Sequence, residues 1–396
     1  MNAERARKPK QRTGHVACSY KNGMLVWGGY RETERSTSYL PGYELWFYDT
    51  LLEKWVLRRT GGQVPPGTSG AVAMTVGDSM FLFGGFHDSR NTNRLYRLDL
   101  VTMDWELVDA QGPLPTPCDK MAGWSYADRL YVFGGFGVTP RQGVSRPLDF
   151  HYVLDMQAPW VSRGWTNQLV EFDVASRTWN YPSYKASLFG KSPLPRAAHA
   201  AAQIGGKVFI FGGRHQENRL NDIHRLDLDV MAWSGPLQTV GEKPCGRSWH
   251  SFTAVSPMHI VLYGGFSQSE EPLADCWLFV VGALTWIRVE LPLPPRLWHS
   301  ACLSQREEVV VFGGCAGNIF QRGGIHAEDT VIVLRFSPRS LYRQVLLRYA
   351  AFLICLDKVL QCKVLLQSQW HTLPSTVLET LCLKDGNLHG TGLDGS

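Results

Sequence analysis

Six short apolar runs in this chain end in a pair of glycines, and that recurrence limits the fold more than any other feature. The pairs are Gly28-Gly29, Gly84-Gly85, Gly134-Gly135, Gly212-Gly213, Gly264-Gly265 and Gly313-Gly314, with first glycines spaced by 56, 50, 78, 52 and 49 residues. The clearest copy runs from Lys207 to Trp233: a run Val208–Phe211, the glycines, a polar loop, a second strand-like run with Asp227, and a closing tryptophan. Paired glycines suit a sharp strand exit, where a Cβ is not tolerated and positive φ is needed. Five units close on a tryptophan (Trp55, Trp105, Trp179, Trp233 and Trp286), 21 or 22 residues after the first glycine in units two, four and five. The distance grows to 27 in unit one and 45 in unit three, which places insertions in the loop after their glycines. An all-β unit of about 50 residues with aromatic punctuation is a propeller blade.

The Gly-Gly, the later strand ending in Asp49, Asp99, Asp173 or Asp227, and the closing tryptophan together resemble the kelch repeat. The resemblance implies an all-β fold, a six-bladed kelch β-propeller over residues 12–337. Before it lies a basic segment, 1–11, expected to be disordered. A short helical attachment, 338–384, and a flexible glycine-rich tail, 385–396, follow it. The sixth unit lacks the tryptophan, so its outer strand is either absent or supplied by the N-terminal segment. Antiparallel alternation puts the loop after the glycines and the loop into the next blade on one face. Loops on a rigid scaffold are where binding residues concentrate.

Those loops carry Arg214 and Arg219, Arg247-Ser248-Trp249-His250, Arg296-Leu297-Trp298-His299, Tyr30, Phe136, Lys120 and Trp165. Two guanidinium forks and a hydroxyl suit one anionic group, because arginine binds carboxylates bidentately. The alternative is that Asp222 or Glu217 neutralises Arg214 and Arg219, that the Trp-His pairs are packing residues, and that Trp165 covers the insertion's own core. The set GGR-x4-R, GRSWH, RGW and PRLWH resembles the kelch-repeat substrate receptors of cullin-2 RING ubiquitin ligases, which capture protein C-termini ending in glycine. That resemblance implies that Arg214, Arg219 and Ser248 hold a terminal carboxylate, with Lys120, Trp165, Trp249, Trp298, Tyr30 and Phe136 around it. Phe136 stands where that family carries a tyrosine.

Apolar residues at 341, 345, 349, 352, 353, 356, 359, 360 and 364 share one helical face. Arg348, Asp357, Lys358 and Lys363 on the same stretch argue against a membrane span. The family likeness implies an elongin-binding helix beginning Ser340-Leu341, then a cullin-box segment with Leu373, Pro374 and Val377. A helix that merely caps the propeller is the alternative. The chain end, Gly395-Ser396, is chemically close to the expected ligand, so a self-docking tail and homo-oligomers are also expected.

Charge excludes little but weighs against nucleic acid: the formal net is +5 with no sustained basic stripe. Nine cysteines without a C-x-x-C pair and a polar, basic start fit free thiols in the nucleus and cytoplasm. Two other classes remain open. A metal-dependent kelch enzyme needs convergent ligands, whereas His15, His199, His250 and His299 recur at equivalent positions, so no metal or cofactor is expected. A scaffold or adaptor would lack a pocket for a chain end.

Overall fold

A computed structural model describes residues 8–33, 36–138, 152–155, 163–183, 192–305, 307–321 and 328–336. The chain divides after Phe336. The helical attachment, the elongin and cullin segments and the tail all lie outside the described residues.

Alternating apolar runs and tight turns give antiparallel sheets, one per repeat, here called blades with strands a to d from the centre outward. Blade one is Val16–Tyr20, Gly23–Trp27, Glu44–Asp49 and Lys54–Arg59. Blade two is Val72–Val76, Ser79–Phe83, Leu95–Asp99 and Asp104–Leu107. Blade three is Ala122–Tyr126, Arg129–Phe133, Leu169–Asp173 and Thr178–Asn180. Blade four is Ala200–Ile204, Lys207–Phe211, Ile223–Asp227 and Ala232–Pro236. Blade five is Ser251–Ser256, His259–Tyr263, Cys276–Val280 and Thr285–Val289. Blade six has three strands among the described residues, Ser300–Leu303, Glu308–Phe312 and Val331–Arg335. Each strand a touches the next, and that of blade six touches that of blade one, which closes a six-bladed propeller.

The aspartate that ends strand c shapes the turn into strand d. Asp99 Oδ1 accepts from the backbone N–H of Val101 (2.8 Å) and Thr102 (2.9 Å), as Asp49 does from Leu51 and Leu52. These amide donors pull the pKa of Asp99 below the usual carboxylate range. The turn ends on a left-handed residue, such as Met103 or Met231, and the tryptophan follows.

That tryptophan staples neighbouring blades. Its ring packs on the last residue before the previous blade's glycines: Trp105 on Trp27 (5.8 Å), Trp179 on Phe83 (4.9 Å), Trp233 on Phe133 (5.2 Å) and Trp286 on Phe211 (5.0 Å). Trp55 reaches Phe312 at 4.7 Å, so blade one locks blade six by the same contact. Aromatic pairs of this kind contribute about 0.5–1.5 kcal/mol beyond area burial. Residues 8–12 form no strand on blade six. They join it through the Lys8–Asp329 ion pair (2.8 Å) and the bond from Gly314 N–H to the Arg12 carbonyl (2.9 Å).

The first glycine of each pair makes room for the next blade. A Cβ on Gly134 would lie 2.6 Å from His199 Cε1 and 2.7 Å from the Arg196 carbonyl; on Gly84 it would lie 2.7 Å from Met121 Cε. Both glycines have φ near +70°. The repeat therefore needs glycine for backbone conformation and for inter-blade space at once.

Candidate functional site

One residue per blade, just before strand a, surrounds the axis: Gly14, Gly70, Lys120, Ala198, Trp249 and Trp298. All six are left-handed, with φ between 52° and 65°. Their backbones form a closed ring in which each N–H donates to the carbonyl of the previous blade's residue. The distances are 2.8 Å for Gly70 to Gly14, 2.7 Å for Lys120 to Gly70, and 2.8 Å for Ala198 to Lys120. They are 2.8 Å for Trp249 to Ala198, 2.8 Å for Trp298 to Trp249, and 3.3 Å for Gly14 to Trp298. Left-handed backbone costs a non-glycine residue about 1–2 kcal/mol, and four of the six positions carry that cost. Backbone strain of this kind concentrates at ligand clamps.

Three large side chains meet above this ring. Trp249 stacks on Trp298 at 5.2 Å and 26°, and Trp298 meets Tyr30 edge-on at 5.7 Å. Lys120 projects from the opposite blade to within 5.6 Å of the Trp298 ring. The glycines leave the space that these rings fill: a Cβ on Gly14 would lie 3.1 Å from Trp298 Cε2. Lys120 is also ion-paired with buried Asp119. Phe320 extends the aromatic wall, 6.2 Å from Trp249 and half exposed.

A second tier is formed by the residue after each Gly-Gly. Tyr30, Phe86, Phe136, Arg214, Phe266 and Cys315 pair with Thr13, Ser69, Asp119, Ala197, Ser248 and Leu297 respectively. Four of the six are aromatic, and blade four alone supplies a cation. Arg214 pairs with Arg219 across a short hairpin, which brings two guanidiniums together. Arg214 Nε donates to the Gln216 carbonyl (2.7 Å), and its guanidinium lies 5.7 Å from the Trp165 ring. Trp165, 4% exposed, meets Phe136 at 5.0 Å and pairs across the sheet with both Phe136 and Val153 of the insertion, so it is buried between the residue after the glycines and the insertion's strand.

Arg219 is the most constrained of these groups. It is 8% exposed, lies 4.7 Å over Phe266, and donates through Nε to Ser248 Oγ (3.2 Å). Gln268 Oε1 accepts from its backbone N–H at 2.7 Å. Its Nη2 is buried with no hydrogen-bond partner among the described residues. Burial and then Arg214 lower its pKa from the ordinary arginine value. Ser248 is itself fully buried, so its hydroxyl orients the Arg219 fork from beneath.

Three arginines of the same loops do something else. Arg247 is fully buried and grips Asp275 with both Nη atoms (2.6 and 2.7 Å) while donating to the Gly264 carbonyl (3.0 Å). Arg196 holds Asp222 the same way (2.7 and 2.8 Å), and Arg296 bonds the Gly313 carbonyl and Thr330. Arg247 and Arg296 are therefore inter-blade struts and not part of the mouth. Asp222 is engaged by Arg196 and His224, so it does not neutralise Arg214 or Arg219. Among the described residues no ion pair involves Arg214, Arg219 or Arg163.

The recurring histidines are wedges. His15, His199, His250 and His299 are buried against Phe312, Phe133, Phe211 and Tyr263. They line a cavity of about 230 Å³ on the axis beneath the ring. Among the described residues no group of three His, Cys, Asp or Glu side chains is placed to hold a metal ion.

The comparisons with known proteins agree with this architecture. The KLHDC2/KLHL20/DRC7 Kelch-repeats domain matches residues 3–160 and 160–314. Kelch domain-containing protein 2 of Bos taurus is 38% identical over 396 residues, covering 97% of this chain and 93% of that protein. Kelch domain-containing protein 1 of Homo sapiens is 36% identical over 385 residues, covering 95% and 90%. The solved structure of YjhT superposes with a TM-score of 0.60 at 13% identity, over 82% of this chain and 95% of that one. That likeness concerns the fold alone.

Proposed function

The chain belongs to the kelch-repeat family of the KLHDC2/KLHL20/DRC7 type, and from that premise we propose that it is the substrate-recognition subunit of a cullin-2–elongin B/C RING ubiquitin ligase. Its propeller binds protein C-termini that end in glycine, in the nucleus and cytoplasm, and performs no chemistry itself. One observation carries the binding half: two adjacent guanidiniums share the mouth without an ion-pair partner among the described residues, and one keeps a buried, unpartnered N–H. A buried unsatisfied donor costs about 1–3 kcal/mol, a cost that an incoming carboxylate removes. Arg219 and Arg214 take the carboxylate, Ser248 sets the Arg219 fork, and Lys120, Tyr30, Phe136, Trp165, Trp249 and Trp298 line the approach. Crowded aromatic walls favour a terminal residue without a Cβ.

Isothermal titration of the full chain with a Gly-ended decapeptide tests this reading. The free acid should bind, and the C-terminal amide should lose at least about 100-fold, since two charge-assisted bonds of about 1.5–3 kcal/mol each are removed. Equal binding of acid and amide sinks it.

The ligase half rests on the family likeness of segments outside the described residues. Ser340-Leu341 begins the elongin C contact, and Leu373, Pro374 and Val377 form the cullin-2 contact. Leu341→Asp should abolish co-purification of elongin C while leaving peptide affinity unchanged, and undiminished co-purification rejects the assignment. The tail ending Gly395-Ser396 is proposed to occupy the same mouth weakly, in its own chain or a second copy. Deleting those two residues should therefore raise peptide affinity, and an unchanged affinity makes the tail inert.

A further inference from the structure

The aromatic and cationic groups of the mouth continue beyond the proposed carboxylate anchor. From Arg214 they pass to Trp165 (5.7 Å), then Phe136 (5.0 Å), then the guanidinium of Arg163 (4.9 Å), which also lies 5.1 Å over Phe86. Arg163 is two residues before Trp165 on the strand Arg163–Thr166, so both side chains project from the same face. Its Nη2 donates to Asn91 Oδ1 (2.7 Å), a neutral acceptor. Its Nε is buried with no hydrogen-bond partner among the described residues. Lys120, the other cation here, is already ion-paired with Asp119. Two phenylalanine faces hold the Arg163 fork in place without neutralising it, which leaves a pre-oriented cation facing the approach to the anchor.

We propose that Arg163 is a second, sequence-reading anchor that selects ligands with an aspartate or glutamate a few residues upstream of the chain end. The inference rests on the chain-end reading and deepens it: the preferred substrate is an acidic C-terminal peptide. The contacts above, laid end to end along a peptide advancing about 3.3–3.6 Å per residue, put the acid no further than about five residues from the terminal carboxylate. A carboxylate between Phe86 and Phe136 gains a charge-assisted bond from Arg163 in a largely desolvated setting, where such bonds are strongest. A lysine at the same register meets repulsion, which adds to discrimination.

The test is a charge walk on the full-length protein. Gly-ended decapeptides carry Asp, Ala or Lys in turn at the third to sixth positions from the end, each as free acid and as amide, with affinity read by titration calorimetry. At one register, roughly 9–20 Å from the end by the same rise per residue, the Asp peptide should bind about tenfold tighter than Ala, and Lys weaker than Ala. Arg163→Gln should flatten that ranking, and Arg163→Glu should reverse it in favour of Lys. A purely structural clamp would lower all affinities together and leave the ranking intact. If wild-type protein binds Asp, Ala and Lys peptides equally at every register while amidation still abolishes binding, the second anchor is overturned and the chain-end reading stands. If amidation has no effect on any peptide, the chain-end reading falls and this inference falls with it.

Discussion

Arg219→Ala should lose at least about 100-fold in affinity for a Gly-ended peptide while the propeller stays as stable as the parent, or becomes more stable. Arg247→Ala should do the reverse. The two residues sit in adjoining loops, both carry buried guanidiniums, and they differ in what surrounds the charge. Arg219 has a hydroxyl, a phenyl face, a like charge and an unpartnered Nη2. Truncating it removes a desolvated cation that the fold does not use, so stability is held or raised. Arg247 has a bidentate carboxylate and a blade-five carbonyl, and its loss leaves Asp275 part-buried with only Trp277 Nε1 (2.7 Å) still donating from a side chain. Breaking a buried pair from one side costs about 3–5 kcal/mol. Urea denaturation midpoints of the two variants, set beside peptide titrations, separate the roles. Equal destabilisation by both would mean that Arg219 is another strut and that the mouth has no dedicated anion site.

That contrast also explains what was legible in the sequence. Six Gly-Gly pairs and five tryptophans announce the repeat because every blade must satisfy the same two neighbours. Why they repeat was not legible, since their contacts lie in other blades: His199 fills the space over Gly134, and Trp233 packs on Phe133. Arg247 and Arg296 read like binding residues because Asp275 and Thr330 lie 28 and 34 positions away. A signal was present nonetheless. An arginine stands two residues before the ring position in blades one, four, five and six, as Arg12, Arg196, Arg247 and Arg296, and repetition marks scaffold. Arg214, Arg219 and Arg163 repeat nowhere else, and exceptions to a repeat mark what the scaffold carries. Nothing local in the RGW segment marks Arg163, because its aromatic partners, Phe86 and Phe136, lie 77 and 27 positions away. The left-handed ring was invisible because its members, from glycine to tryptophan, share a backbone conformation and no chemistry.

The same repetition sets the pH range of the fold. Stability should be highest above about pH 6.5, the ordinary histidine value, and should fall steeply below it. His15, His199, His250 and His299 are buried as wedges, and burial first, then the neighbouring Arg12, Arg196, Arg247 and Arg296, disfavours their charged forms. Burial and the arginines hold His199 and His299 down to about 3, and His15 and His250 well below the ordinary value. Their folded pKa values are depressed, so the unfolded chain takes up protons that the propeller refuses. The stability they contribute is complete above the unfolded pKa and is lost as pH falls from there toward about 3. Each histidine adds a slope of up to about 1.4 kcal/mol per pH unit in that window, and four acting together outweigh any single side chain. Asp222, whose pKa Arg196 and His224 hold low against its own burial, adds to acid sensitivity only once pH falls into the ordinary carboxylate range and below it. The fold supplies its own control, because blade three carries Met121, and blade two Ala71, where the other four carry histidine, and the Met121 Cε lies over Gly84. His250→Met should therefore keep most of the neutral-pH stability and reduce the acid slope by about one histidine's share. Urea midpoints between pH 7.5 and 5, measured on the full chain and the variant, provide the check. A flat profile for the parent, or an unchanged slope in the variant, would show that these rings charge freely inside the propeller.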